Sequence, residues 1–218
     1  MHDQAAEYAS AWASFSALER VARHRADWAT WAAGRRRHTL FMALVREPAA
    51  VAAISDVQQR LEGVPGLELH ARHFFHISIQ SCGFDDALPI QAEPVAAALA
   101  AVPAVDVLLG GVNAFHSAVF LETQSGGGLL AVRRAIRTAL GAPIEAIDPY
   151  PGFLFHLTLG YLGADCDVRQ VRATIEPLRE RAAARLRIAH IDLVQVPTDQ
   201  RVPFPDLESI SSFALGRR

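Results

Sequence analysis

Two widely separated stretches of this chain repeat one pattern: His76-Ile77-Ser78-Ile79 and His156-Leu157-Thr158-Leu159. Each joins an imidazole to a hydroxyl two positions on, with apolar residues between and after. On an extended strand successive side chains point to opposite faces. His76 and Ser78 therefore share one face and Ile77 and Ile79 the other, and the second stretch divides in the same way. If the two strands converge, two imidazoles and two hydroxyls surround one small anion. That equipment suits cleavage of a phosphodiester by proton transfer at both ends. A neutral imidazole takes a proton from the attacking hydroxyl or water, and a protonated one delivers a proton to the departing oxygen. The hydroxyls donate hydrogen bonds to the non-bridging oxygens as charge builds at phosphorus. The scheme requires no metal.

Other chemistries find less support. A single such tetrapeptide arises readily by chance, and a strand histidine can simply bond a backbone group. No Asp or Cys completes a zinc set around the two histidines. Neither a serine elbow nor a strand-end acid suggests a nucleophilic triad. Gly126-Gly127-Gly128 lacks the lysine and hydroxyl of a phosphate-cradling loop and reads as a flexible rim. His70, His116 and His190 have no hydroxyl partner at the right interval. His73 lies three before His76, so an extended strand turns it to the opposite face.

The elements that must position these residues alternate irregularly. Residues 4–33, Ala-rich with Trp12, Phe15, Leu18, Val21, Trp28 and Trp31, predict one or two amphipathic helices, followed by the charged junction Arg35-Arg36-Arg37. "TLFMALV" at 39–45 reads as a buried strand, and Pro48 opens a helix over 49–61. Strand material at 67–80 culminates in the first tetrapeptide, and a short helix follows at 93–101. Strands at 105–111 and 115–122 are joined by a tight connection around Asn113. A helical stripe runs through Leu129, Leu130, Val132, Ile136 and Leu140, and a turn-rich stretch leads to a strand at 153–161. Residues 167–181 are helical with a break at Pro177, and strands at 188–196 and 207–215 finish the pattern. Helices mixed with hairpin-like strand pairs predict an α+β sheet architecture, not a doubly wound parallel sheet.

Composition sets outer bounds. The 218 residues, 51% hydrophobic, suffice for a sizeable core, and a net charge of −2 argues against gripping long nucleic acid by bulk electrostatics. Cys82 and Cys166 follow their nearest tetrapeptide histidines at unequal offsets and read as free buried thiols. With no secretory signal and no apolar run of membrane length, the expected location is the cytoplasm.

The chain resembles the two-histidine phosphoesterase superfamily, which includes RNA 2',3'-cyclic phosphodiesterases, also called 2'-5' RNA ligase-like proteins. Besides the two tetrapeptides, "TLFMALV", "VDVLLGGVNAFHSAVFLETQ" with its following helix, and "PGFLFHLTLGYL" are similar to that family's blocks. The resemblance implies a bilobal α+β fold with mixed or antiparallel sheets around a central cleft and helices outside. It divides the chain into a helical extension, residues 1–37, and a phosphoesterase domain, residues 38–218. It implies that His76 and His156 are catalytic and that Ser78 and Thr158 bind phosphate, with no metal and no cofactor. The expected activity is a hydrolase opening a 2',3'-cyclic phosphate on a small nucleotide or RNA end, as in RNA processing. A non-catalytic nucleotide- or phosphate-binding module of the same fold is the alternative. Tyr150, Phe153 and Phe155 offer a stacking wall for a base, core packing being the competing reading. Basic residues near the tetrapeptides are few: Arg72, Arg133, Arg134 and Arg137, with Arg133 and Arg134 expected on a solvated helix surface. Exposed tryptophans at 12, 28 and 31 would allow self-association through the N-terminal helices.

Overall fold

The computed structural model describes residues 4–21, 37–85, 89–149, 153–163, 165–198, 204–205 and 207–217. Trp28, Trp31, Arg35, Arg36 and Tyr150 lie outside them. Along the chain run α1 (Gln4–Ser16), β1 (Arg37–Leu44), α2 (Pro48–Gln59), β2 (Leu67–Leu69), β3 (His76–Ser81), α3 (Ala92–Ala100), β4 (Val105–Ala114) and β5 (Ala118–Gln124). Then come α4 (Gly128–Leu140), α5 (Pro143–Ile147), β6 (His156–Leu162), α6 (Val168–Ile175), β7 (Ala184–Ile188), β8 (His190–Pro197) and β9 (Glu208–Ala214).

The strands form one sheet in the order β7-β4-β5-β6-β3-β1-β8-β9, with β2 added alongside β6. Every pairing between these strands is antiparallel. The order is symmetric about the junction of β6 and β3. One lobe is β3-β1-β8-β9 and the other β6-β5-β4-β7, so a pseudo-twofold axis passes between the two tetrapeptides. The register slips at equivalent places, between Phe41 and Met42 beside β3 and between Val119 and Phe120 beside β6. These bulges sit just past Ser78 and Thr158. Each bends its strand and ends the polar alternation, so both Ile79 and Gln80 are buried.

The apolar positions do the anchoring. Ile77, Ile79, Leu157 and Leu159 are all fully buried in the main core, each contributing on the order of 1.5–3 kcal/mol. The helices cross between lobes: α2 packs against β7 of the second lobe, and α4 against β3 of the first. Pro48 occupies the first turn of α2, where its missing N–H has no helical partner to lose. In β4, a Cβ on Gly111 would fall 1.5 Å from the Arg179 carbonyl oxygen, so only glycine allows that close backbone approach.

Several expectations change. Asn113 lies inside β4, and the hairpin turns at residues 115–117, closed by the Phe115 N–H on the Ala118 carbonyl (2.8 Å). A strand at 184–188 precedes the expected one at 188–196. His73 sits in a 3-10 turn, Arg72–Phe74, so strand alternation does not place it; its Nε2 bonds the Phe204 carbonyl (3.2 Å). Trp12 does not offer a docking face: it packs against the core, with the Arg179 guanidinium 4.2 Å over its ring. Gly126 and Gly127 turn with positive φ into α4. Cys82 and Cys166 are free and buried. No helix among the described residues is long and apolar enough to cross a membrane.

Candidate active site

β3 and β6 pair antiparallel at Ile77 and Leu157. That register sets His76 across from Thr158 and Ser78 across from His156, because antiparallel neighbours run in opposite directions from the paired residues. All four side chains share the face opposite Ile77 and Leu157. The burial pattern is the same in both strands: half-buried at each histidine and hydroxyl, buried between. The structure thus brings the four sequence-predicted residues together about the pseudo-twofold axis.

The ring orientations are twinned as well. His76 Nδ1 bonds the Phe74 carbonyl (2.7 Å), and His156 Nδ1 bonds the Leu154 carbonyl (2.8 Å). A carbonyl only accepts, so Nδ1 carries the proton in both rings and Nε2 is the nitrogen with a lone pair able to take up a proton. Burial pulls the His76 pKa down to about 4 from its ordinary 6.5; the Phe74 carbonyl opposes this and the nearby His156 reinforces it. Burial lowers His156 too, against the Leu154 carbonyl. Both shifts favour the neutral ring.

Aromatic rings pack around both imidazoles. Phe74 meets His76 edge-on at 5.2 Å. Phe115 and Phe120 lie 5.0 and 5.2 Å from His156, and Phe153 stacks on it at 6.1 Å and 22°. Of the expected substrate wall, Phe153 stands at the site. Phe155 is a correction: it is 1% exposed and belongs to the core, because strand alternation turns it away from His156.

Behind the tetrapeptides lies a second matched pair. Arg133 on α4 donates from Nη1 to the Ile79 carbonyl (2.7 Å), and Gln58 on α2 donates from Nε2 to the Leu159 carbonyl (2.9 Å). Each side chain comes from a crossed helix and holds the fourth residue of a tetrapeptide. Arg133 is the larger surprise. Expected on a solvated surface, it is 0% exposed and also pairs through Nη2 with Asp148 (2.7 Å). Asp148 in turn accepts from Gln80 Nε2 (3.0 Å). A signal existed in the sequence, since position 133 falls on the apolar stripe of Leu129, Val132 and Ile136.

Comparison with known proteins agrees with this geometry. A family model for the 2'-5' RNA ligase superfamily matches residues 45–200. Among solved structures, TT0787 of Thermus thermophilus superposes with a TM-score of 0.59 at 16% identity, covering 83% of this chain and 99% of its own. E. coli LigT in its apo form gives 0.56 at 10% identity, covering 84% and 100%. Among curated protein sequences there is no significant match. The matched span includes both tetrapeptides and the crossed helices, and the chain belongs to the 2'-5' RNA ligase superfamily of two-histidine phosphoesterases.

Proposed function

We propose that this chain hydrolyses a 2',3'-cyclic phosphate on a small nucleotide or RNA end, using His76 and His156 as the acid–base pair and no metal. The twinned presentation of two imidazoles, each with Nδ1 held by a carbonyl and a hydroxyl across the strand pair, carries the reading. One Nε2 takes a proton from water as its oxygen bonds phosphorus. The P–O bond to one ribose oxygen breaks, and the other imidazolium protonates that oxygen to give a monoester. Ser78 and Thr158 donate to the non-bridging oxygens. E. coli LigT has been solved with phosphate, with 3'-AMP, with ATP and with NADP+, which supports a nucleotide-sized ligand here. Phe153 offers a face for a base. A binding module needs only attraction to phosphate, and two imidazoles each held in one tautomer support proton transfer instead.

The test is turnover of the four nucleoside 2',3'-cyclic monophosphates and of an RNA with a cyclic end, with EDTA present. Hydrolysis indifferent to EDTA is expected; tight binding without product would favour the non-catalytic alternative. The pH dependence follows from the depressed histidines. Turnover needs one ring neutral and one protonated, so kcat/KM traces a bell whose maximum lies between two values both below 6.5. An optimum well above 7 would contradict that. Thr158→Ala and Ser78→Ala each remove one oxyanion donor and are expected to lower kcat by about 10²-fold, the lower end of what such donors contribute.

A further inference from the structure

We propose that Tyr8, on the N-terminal helix, is a positioning residue for His156, acting through the Phe155 carbonyl. The pseudo-twofold axis makes the case. In the first lobe, the rung beyond Leu44 and His76 is a direct backbone bond, the Val45 N–H to the Phe75 carbonyl at 3.0 Å. The equivalent rung in the second lobe, beyond Glu122 and His156, would join Thr123 to Phe155. There the Tyr8 hydroxyl stands in the ladder instead. It accepts from the Thr123 N–H (2.9 Å) and donates to the Phe155 carbonyl, the shorter of its two carbonyl contacts, with the Thr123 carbonyl at 3.1 Å and Thr123 Oγ1 at 3.2 Å. The N–H, hydroxyl and carbonyl form a relay where the first lobe has a single bond.

The relay is firmly built. Tyr8 is 4% exposed, and Phe15, on the same helix, lies in the main core. Asn113 Nδ2 donates both to the Tyr8 carbonyl (3.0 Å) and to Glu122 Oε1 (2.7 Å), so the helix is tied on either side of the His156 rung. Burial raises the Tyr8 pKa above its ordinary value, which keeps the hydroxyl protonated and able to donate. What the relay holds is the middle of the 154–156 segment. The His156 ring takes its orientation from the Leu154 carbonyl at one end of that segment. Without the hydroxyl, the Thr123 N–H loses its acceptor and the Phe155 carbonyl keeps only Thr123 Oγ1, at 3.0 Å. The segment is then free to shift, and His156 with it, while His76 keeps its direct rung.

The kinetic part of this proposal rests on the phosphoesterase reading, so the experiment includes an arm that does not. Tyr8→Phe removes the hydroxyl and keeps the ring. Phe15→Leu perturbs the packing of the same helix without touching the relay. In Tyr8→Phe, kcat on a cyclic nucleotide falls about tenfold with KM within about twofold, the scale expected for a sub-ångström misplacement of a catalytic group. Imidazole nitrogen NMR then shows His156, and not His76, losing its single Nδ1–H tautomer. Phe15→Leu lowers the melting temperature and leaves kcat and both rings unchanged. Equal kcat losses in the two variants, or equal changes at the two histidines, would reduce Tyr8 to a packing residue and overturn the proposal. If the chain turns over no cyclic phosphate, the tautomer measurement decides alone. Should Tyr8→Phe not fold, 3-fluorotyrosine at position 8 strengthens the hydroxyl as a donor and weakens it as an acceptor, and an unshifted His156 signal there counts against the relay.

Discussion

On the proposed reaction, His76→Ala and His156→Ala are each expected to lower kcat on a 2',3'-cyclic nucleotide by about 10²- to 10⁴-fold, the range a positioned general acid or base contributes. Neither change opens a core cavity, since both rings are half-buried on the cleft face and the apolar anchors Ile77 and Leu157 remain. Melting temperatures should therefore stay close to that of the parent. The double variant is expected to fall little below either single one, because in the proposed reaction the two rings act together and removing either disables it. Steady-state kinetics on all three folded proteins checks this. Parental turnover in either single variant would take that histidine out of the reaction.

Arg133→Met has its largest effect on stability, with an expected loss of about 3–5 kcal/mol, as when one partner of a buried pair is removed. The substitution preserves much of the side chain's length and apolar stem. It strips the Ile79 carbonyl of its donor and leaves Asp148 without its guanidinium. Gln58→Leu, the counterpart on α2, removes only neutral bonds to the His70 and Leu159 carbonyls, and costs less, about 1–3 kcal/mol. Urea denaturation of the two variants gives the comparison. A loss at Arg133 below that at Gln58 would show that the ion pair adds nothing to the clamp.

The site was legible in the sequence to the extent that strand alternation governs it. Two H-x-S/T-x strands with apolar alternates foretold both the shared face and the buried anchors, and the antiparallel pairing of Ile77 with Leu157 joined them. Three features followed other rules. The bulges after Ser78 and Thr158 are set by register with β1 and β5, which a strand read alone does not reveal. The charge of Arg133 points to solvent, although its neighbours Leu129, Val132 and Ile136 mark the buried stripe; its partners Ile79 and Asp148 lie on other elements. Phe155 looked like a wall because it adjoins His156, whereas alternation, applied one residue further back, sends it to the core. Tyr8 carried no local signal at all, since its partners are Asn113, Thr123 and Phe155.

The order of the strands also has a bearing on how the protein is made. The first lobe begins with β1 and β3 but is completed by β8 and β9, with Arg37 pairing Pro197 across most of the chain. On a ribosome, β1, already able to pair with the strand bearing His76, must wait for β8 to cover its other edge, while the second lobe's central hairpin, β4 and β5, has long been free to form. Such long-range closure slows folding and leaves β1 as an unpaired edge in the nascent chain. The outer half of the first lobe is consequently among the last parts of the molecule to take shape during synthesis.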